Sequence, residues 1–122
     1  CILAVECDWR IRKLIRANLE AVGLAVREAV SGSHGLELAS DSRPDLILID
    51  LDSADMDAPD LVGAFQLRFA DQPVPIVVMC AEPPSRHLLH NGAVVGYLRK
   101  PFSASVLLQQ IHRALNHSLS TE

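Results

Sequence analysis

Hydrophobic and polar positions along this chain follow two periods by turns. Unbroken apolar runs stand at residues 2–5, 46–49 and 76–80. Such short runs read as strands buried on both faces, the pattern of a parallel sheet covered by helices. Between the first two runs, Ile11, Leu14, Ile15, Leu19 and Val22 recur at helical spacing, with Arg10, Arg12, Lys13, Arg16 and Glu20 elsewhere. They predict a helix over 9–22 that Gly23 stops. Residues 24–30 predict a second strand, and the interrupting Arg27 and Glu28 suit a sheet edge. A short helix follows over 31–40 with Leu36 and Leu38 inward, broken by Ser42-Arg43-Pro44.

The second half repeats the alternation. Residues 53–58 read as a loop, and Asp57 ahead of Pro59 as the cap of a helix carrying Leu61, Val62, Phe65 and Phe69. Pro73 and Pro75 flank the entry to the run at 76–80, and Ser85 caps a short helix that reaches Asn91 and ends at Gly92. A fifth strand covers 94–98, Lys100-Pro101 turns the chain, and Ser103 caps a last helix with Leu107, Ile111 and Leu115 on one face. Strands and helices that alternate in this way predict right-handed βαβ units and one parallel sheet.

Composition narrows the class. At 122 residues the chain fits a single domain, 1–122, long enough to bury roughly two thirds of its unfolded surface. It is 49% hydrophobic and only 4% aromatic, which suits a core of Val, Ile, Leu and Ala rather than a base-stacking surface. A net charge of -4 argues against direct nucleic-acid binding. No apolar run approaches the roughly 20 residues of a membrane helix and no signal peptide is evident, so a soluble, cytoplasmic protein is expected. Cys1 already stands in a strand-like run, as in a piece cut from a longer chain. Cys1, Cys7 and Cys80 are an odd count without CxxC spacing, which points to reduced thiols rather than a disulfide framework.

Candidate chemistry lies at the strand ends. In open α/β sheets ligands bind at the carboxyl edge. There the first, third, fourth and fifth strands deliver Glu6, Asp50, Cys80 and Lys100. Two converging carboxylates repel unless a cation sits between them, and all-oxygen ligation favours Mg²⁺ or Ca²⁺. A lysine adds a point charge suited to a phosphoryl oxygen. Metal, lysine and an accessible carboxylate together describe phosphoryl transfer to Asp50. The plainer reading of Asp50 alone is a solvated acid at a strand end, and Glu6 and Lys100 at matching ends weigh against it.

The segments ILAVECD, PDLILIDLDSADMD, PIVVMCAE, NGAVVGY and LRKPF carry a resemblance to the receiver domain of bacterial two-component response regulators. Their order and spacing match over nearly the whole chain. The resemblance implies a flavodoxin-like (βα)5 doubly wound sheet of strand order 2-1-3-4-5. It implies that Asp50 accepts phosphate from a histidine kinase or phosphotransfer protein and thereby regulates an output domain or partner. Glu6 matches the first acid of the family's acidic pair, Lys100 its lysine, and Pro101 the proline that follows a cis bond. Asp52 stands where the family places a backbone carbonyl on Mg²⁺, so Glu6, Asp50 and Asp52 form the implied metal set. Tyr97 matches the aromatic switch, and the fourth and fifth helices with the fifth strand are the implied homodimer surface.

This chain departs from the pattern twice. Cys7 replaces the second acid, and a thiol is too soft a ligand for Mg²⁺, so metal affinity should fall. Cys80 replaces a Thr or Ser that hydrogen-bonds the phosphoryl group and couples it to the aromatic, and S–H is a poor donor. Asp52 and Asp8 are candidates for restoring the missing charge. A degenerate receiver acting only as a protein-interaction module is the alternative within the family.

Other readings are plainer. A redox pair of Cys7 and Cys80 is disfavoured, since strands two positions apart lie roughly 9 to 10 Å from each other. His87 and His90, like His34, His112 and His117, read as polar surface rather than metal ligands. Arg10, Arg12, Lys13 and Arg16 read as a solvated face, on which the resemblance would dock an acidic phosphodonor surface. Asp50-Leu51-Asp52 also resembles the first motif of haloacid-dehalogenase-type phosphatases. That enzyme class needs an acidic pair beyond the lysine, and the sole acid after Lys100 is Glu122. A non-enzymatic signalling domain is therefore expected.

Overall fold

A computed structural model describes residues 1–53 and 55–120. Ala54 of the expected loop, Glu122 and the side chain of His117 lie outside the described residues. The chain runs β1 (Ile2–Val5), α1 (Trp9–Ala21), β2 (Val26–Ala29), α2 (Gly32–Asp41), β3 (Leu46–Asp50), a 3₁₀ turn (Leu51–Ser53), α3 (Ala58–Arg68), β4 (Ile76–Cys80), α4 (Arg86–Leu89), β5 (Val94–Arg99) and α5 (Ala104–Ser120). All strand pairs are parallel, in the order β2-β1-β3-β4-β5. This is the doubly wound, flavodoxin-like arrangement expected from the alternation.

β3 lies at the centre because every one of its residues is apolar up to its last, and all five are buried. Successive side chains point to opposite faces. Ile47 and Ile49 pack with Leu3, Val5, Val62, Phe65 and Val78 on one side. Leu46 and Leu48 pack with Ile2, Ala4, Ile15, Leu19 and Leu107 on the other. Full burial of each such aliphatic side chain is worth about 1.5 to 3 kcal/mol, so the two-sided core anchors the strand whose end carries Asp50. Among the described residues no helix is long and apolar enough to cross a membrane.

Local chemistry sets the element ends. Asp8 accepts the Arg10 N–H and caps α1, while Gly23, at φ 86°, takes the left-handed conformation that ends it. β2 is shorter than the expected 24–30, because β1 offers it only four partners, Ile2↔Val26 to Val5↔Ala29. Beyond that ladder the Leu24 N–H bonds Leu19, and the Val30 N–H bonds His34 Nδ1. Ser85 caps α4 through the Leu88 N–H, as expected, but the helix closes at Leu89. Asp57 holds the cap position of α3 without a side-chain bond, leaving Pro59 in the first turn.

The packed faces of two helices differ from the expectation. On α2 the fully buried residues are Gly32, Gly35 and Ala39, and Leu36 and Leu38 flank them half-buried. A Cβ on Gly35 would stand 2.8 Å from Val5 Cγ2 and 3.3 Å from Phe65 Cζ, so small residues let this helix lie close to the sheet. On α1 the fully buried residues are Ile15 and Leu19, and Leu14 and Val22 stand exposed.

Candidate functional site

The register of three strands assembles the site. Val5 pairs with Ile49 and Asp50 with Met79, so Glu6, one residue past β1, comes level with Asp50. Cys80 pairs with Arg99, and the Lys100 N–H bonds the Cys80 carbonyl at 2.9 Å, which brings Lys100 to the same edge. The Lys100-Pro101 peptide is cis, as the resemblance implied.

Glu6 and Asp50 are the buried charged residues of the described chain, at 0% and 1% exposure. Lys100 Nζ lies 3.0 Å from Glu6 Oε1 and 2.7 Å from Asp50 Oδ2. Backbone groups hold the carboxylates from the other side: the Asp8 N–H donates to Glu6 Oε2 at 3.1 Å, and the Asp52 N–H to Asp50 Oδ1 at 3.0 Å. Burial raises the Glu6 pKa, and its hydrogen bond with Asp50 adds to the rise. Burial opposes the charge of Lys100, yet its bonds to Asp50 and Glu6 outweigh that and raise its pKa. Two carboxyls share one ammonium here, a balance that disfavours a second anion beside Asp50 and agrees with the direction of the Glu6 shift.

Paired carboxyls fit a divalent ion. Mg²⁺ is commonly held by one or two carboxylates while it keeps several waters, and Glu6 and Asp50 supply two hard oxygens. The set stops there: among the described residues no three His, Cys, Asp or Glu side chains converge on a metal position. Cys7 is exposed. Asp8 is committed to capping α1 and to Arg10, with which it makes bonds of 2.9 to 3.3 Å. The Asp52 carboxylate accepts the Ala81 N–H at 2.9 Å. The two candidates for restoring the missing charge thus have their carboxylates engaged with Arg10 and with the Ala81 N–H.

The remaining expected residues gather nearby. Cys80 is buried, and burial first, then the Asp52 charge, push its thiol pKa up. Tyr97 is half-buried, and its hydroxyl is fully covered beside the Cys80 thiol. Its pKa is raised, by burial first. Cys80 ends β4 and Cys7 lies two residues past β1, with β3 between those strands, in agreement with the rejection of a redox pair.

Two expectations need correction. Phosphoryl transfer called for an accessible Asp50, and it is 1% exposed because Lys100 and the Asp52 peptide cover both its oxygens. The sequence predicts a solvated basic face on α1, and two of its residues, Arg12 and Arg16, are structural. Arg12 Nη1 donates to the carbonyls of Glu6 and Cys7 at 2.8 and 3.0 Å, and its Nε lies 3.4 Å from Glu28. Arg16 bonds Glu28, Glu20 and the Val26 carbonyl. Arg12 thus fixes the loop that presents Glu6. Sequence reasoning also missed Asp55, whose carboxylate binds the N–H and hydroxyl of Ser33 at 3.2 and 2.6 Å at the start of α2. Nothing in residue spacing signals pairs that lie 22 positions apart.

Comparison with known proteins agrees with this arrangement. The family model "Response regulator receiver domain" matches residues 2–112. The KDP operon transcriptional regulatory protein KdpE of Escherichia coli is 32% identical over 98% of this chain and 53% of its own length. The DNA-binding dual master transcriptional regulator RpaA of Synechocystis is 29% identical over 96% of this chain and 49% of its own. The chain thus spans about half the length of the curated relatives it matches. Among solved structures, the chemotaxis protein CheY4 of Vibrio cholerae superposes with a TM-score of 0.84 at 26% identity, covering 93% of this chain and 96% of that one. With the five-stranded order, the paired acids and the lysine in place, the chain belongs to the response regulator receiver domain family.

Proposed function

We propose that Asp50 is the phosphoacceptor of this receiver domain, taking a phosphoryl group from a phosphohistidine on a histidine kinase or phosphotransfer protein. The observation that carries the reading is Lys100 Nζ within 3.0 Å of two buried carboxylates at the edge where the strands end. One Asp50 oxygen attacks phosphorus in line, the donor's P–N bond breaks, and the imidazole leaves with the electron pair and takes a proton from water. Lys100 then turns its charge from the carboxylate to a phosphoryl oxygen. Glu6 and Asp50, with the backbone of Asp52, are the residues that would hold Mg²⁺, which supplies further neutralisation of the phosphoryl charge. Arg12 keeps Glu6 in place through the carbonyls of Glu6 and Cys7.

The curated relatives are named as transcriptional regulators, so the output on this reading is gene regulation by a part or partner outside this domain. A homodimer through α4, β5 and α5 would relay the change, with Tyr97 as the switch. Exposure of 1% at Asp50, with thiols at Cys7 and Cys80, favours one second reading: a receiver that works mainly through protein contacts.

Acetyl phosphate with Mg²⁺, followed by intact mass, separates the two. The parent should gain one phosphoryl group and Asp50→Asn none. An unlabelled parent would support the interaction module, and a labelled Asp50→Asn would remove Asp50 from the reaction.

A further inference from the structure

We infer that Asp52 is a built-in competitor of the phosphoryl group: its carboxylate occupies the backbone donor at the end of β4 that an anion on Asp50 would need. The inference rests on the phosphoacceptor reading and adds a residue that sets how readily the site fills.

Asp50 pairs with Met79 in the sheet, so the next peptides of β4 run alongside its carboxylate. The Cys80 carbonyl is taken by the Lys100 N–H, and the Ala81 N–H is the first donor past the end of β4. That N–H points to Asp52 Oδ2 at 2.9 Å. The same residue's own N–H is spent on Asp50 Oδ1 at 3.0 Å. Asp52 is exposed, and its bond to the Ala81 N–H is what sets its carboxylate at the β4 exit.

A phosphoryl group on Asp50 brings charge that repels a second anion within a few ångströms. It also needs donors for its oxygens. Lys100 can serve one of them, and the Ala81 N–H is open only after Asp52 leaves it. Losing a charge-assisted hydrogen bond is a real cost, and a partner or a metal ion that drew Asp52 away would lower it. The residue therefore weakens the hold of the site on a phosphoryl group without excluding a small phosphodonor.

The test compares the parent with Asp52→Ala and Asp52→Asn, all as the full chain, by NMR titration with beryllofluoride at saturating Mg²⁺. Both substitutions keep the backbone carbonyl. Asp52→Ala should bind about tenfold more tightly than the parent, with Asp52→Asn between them. Without metal, the Ala81 amide should exchange faster in Asp52→Ala. Equal or weaker binding by Asp52→Ala, with the parent still binding, overturns the inference and leaves the phosphoacceptor reading intact. An unchanged Ala81 amide also overturns it. Absence of binding in all three proteins overturns the inference together with the reading beneath it.

Discussion

Lys100→Met isolates the electrostatic core of the site, because methionine keeps most of the apolar stem and deletes the ammonium. At 2.7 and 3.0 Å, and at an effective dielectric of about 20, each carboxylate contact is worth about 5 to 6 kcal/mol of Coulomb attraction. Most of that is offset, since holding the amine with its side chain only 17% exposed costs hydration. Removing one partner of a buried pair typically costs about 3 to 5 kcal/mol. The remaining solvent at Lys100 and the surviving Asp52 N–H bond to Asp50 reduce the expected loss to about 2 to 4 kcal/mol. That is a large share of the roughly 5 to 15 kcal/mol that holds a domain together.

Protonation gives the prediction a second edge. The Glu6 pKa is already raised, by burial and then by Asp50, and loss of Lys100 raises it further. A carboxyl whose folded pKa exceeds its unfolded value stabilises the fold below the unfolded pKa, and that contribution is lost as pH rises through the folded pKa. The deficit of the variant should thus be greatest near neutral pH and shrink on acidification toward about pH 5. Urea unfolding in EDTA, followed by circular dichroism at several pH values, reads it directly. A variant within about 0.5 kcal/mol of the parent at neutral pH, or a deficit that grows on acidification, would refute the reasoning.

Three further outcomes are expected. Gly35→Ala places a Cβ 2.8 Å from Val5 Cγ2 in a filled core, and should cost about 1 to 2 kcal/mol in urea unfolding even after its gain in helix propensity; a more stable variant would mean that α2 can move out freely. Cys7→Asp combined with Cys80→Thr adds a hard ligand and a hydroxyl donor, and should tighten Mg²⁺-dependent beryllofluoride binding about tenfold by calorimetry; no gain would show that the two thiols are not what weakens the site. The Ser33 hydroxyl lowers the Asp55 pKa, so this contact stabilises the fold above the ordinary Asp value of about 4 and is lost as pH falls through the folded pKa. Ser33→Ala should accordingly lower the melting temperature at neutral pH and match the parent in acid, and an equal deficit at both would contradict the assignment.

Much of this protein was legible in its residues. The apolar runs at 2–5, 46–49 and 76–80 required a sheet covered on both faces, and β1, β3 and β4 are indeed buried throughout. Acids and an amine just past those runs had to meet at one edge, because parallel strands all end on the same side of a sheet. Periodicity determines which face a side chain takes and where along the edge it emerges. It carries no information about the partner that reaches that point from a distant segment.

Tertiary packing alone decided the rest. Asp50 and Lys100 are 50 residues apart, and their contact closes the acid off from water instead of leaving it open. Arg12 and Arg16 read as a solvated face until β2 brings Glu28 beside them. The Asp52 carboxylate found its partner, the Ala81 N–H, only when the fold brought the exit of β4 beside it. Each of these outcomes rests on a hydrogen bond or ion pair of about 3 Å, a range over which the fold, and not the order of residues, sets who meets whom.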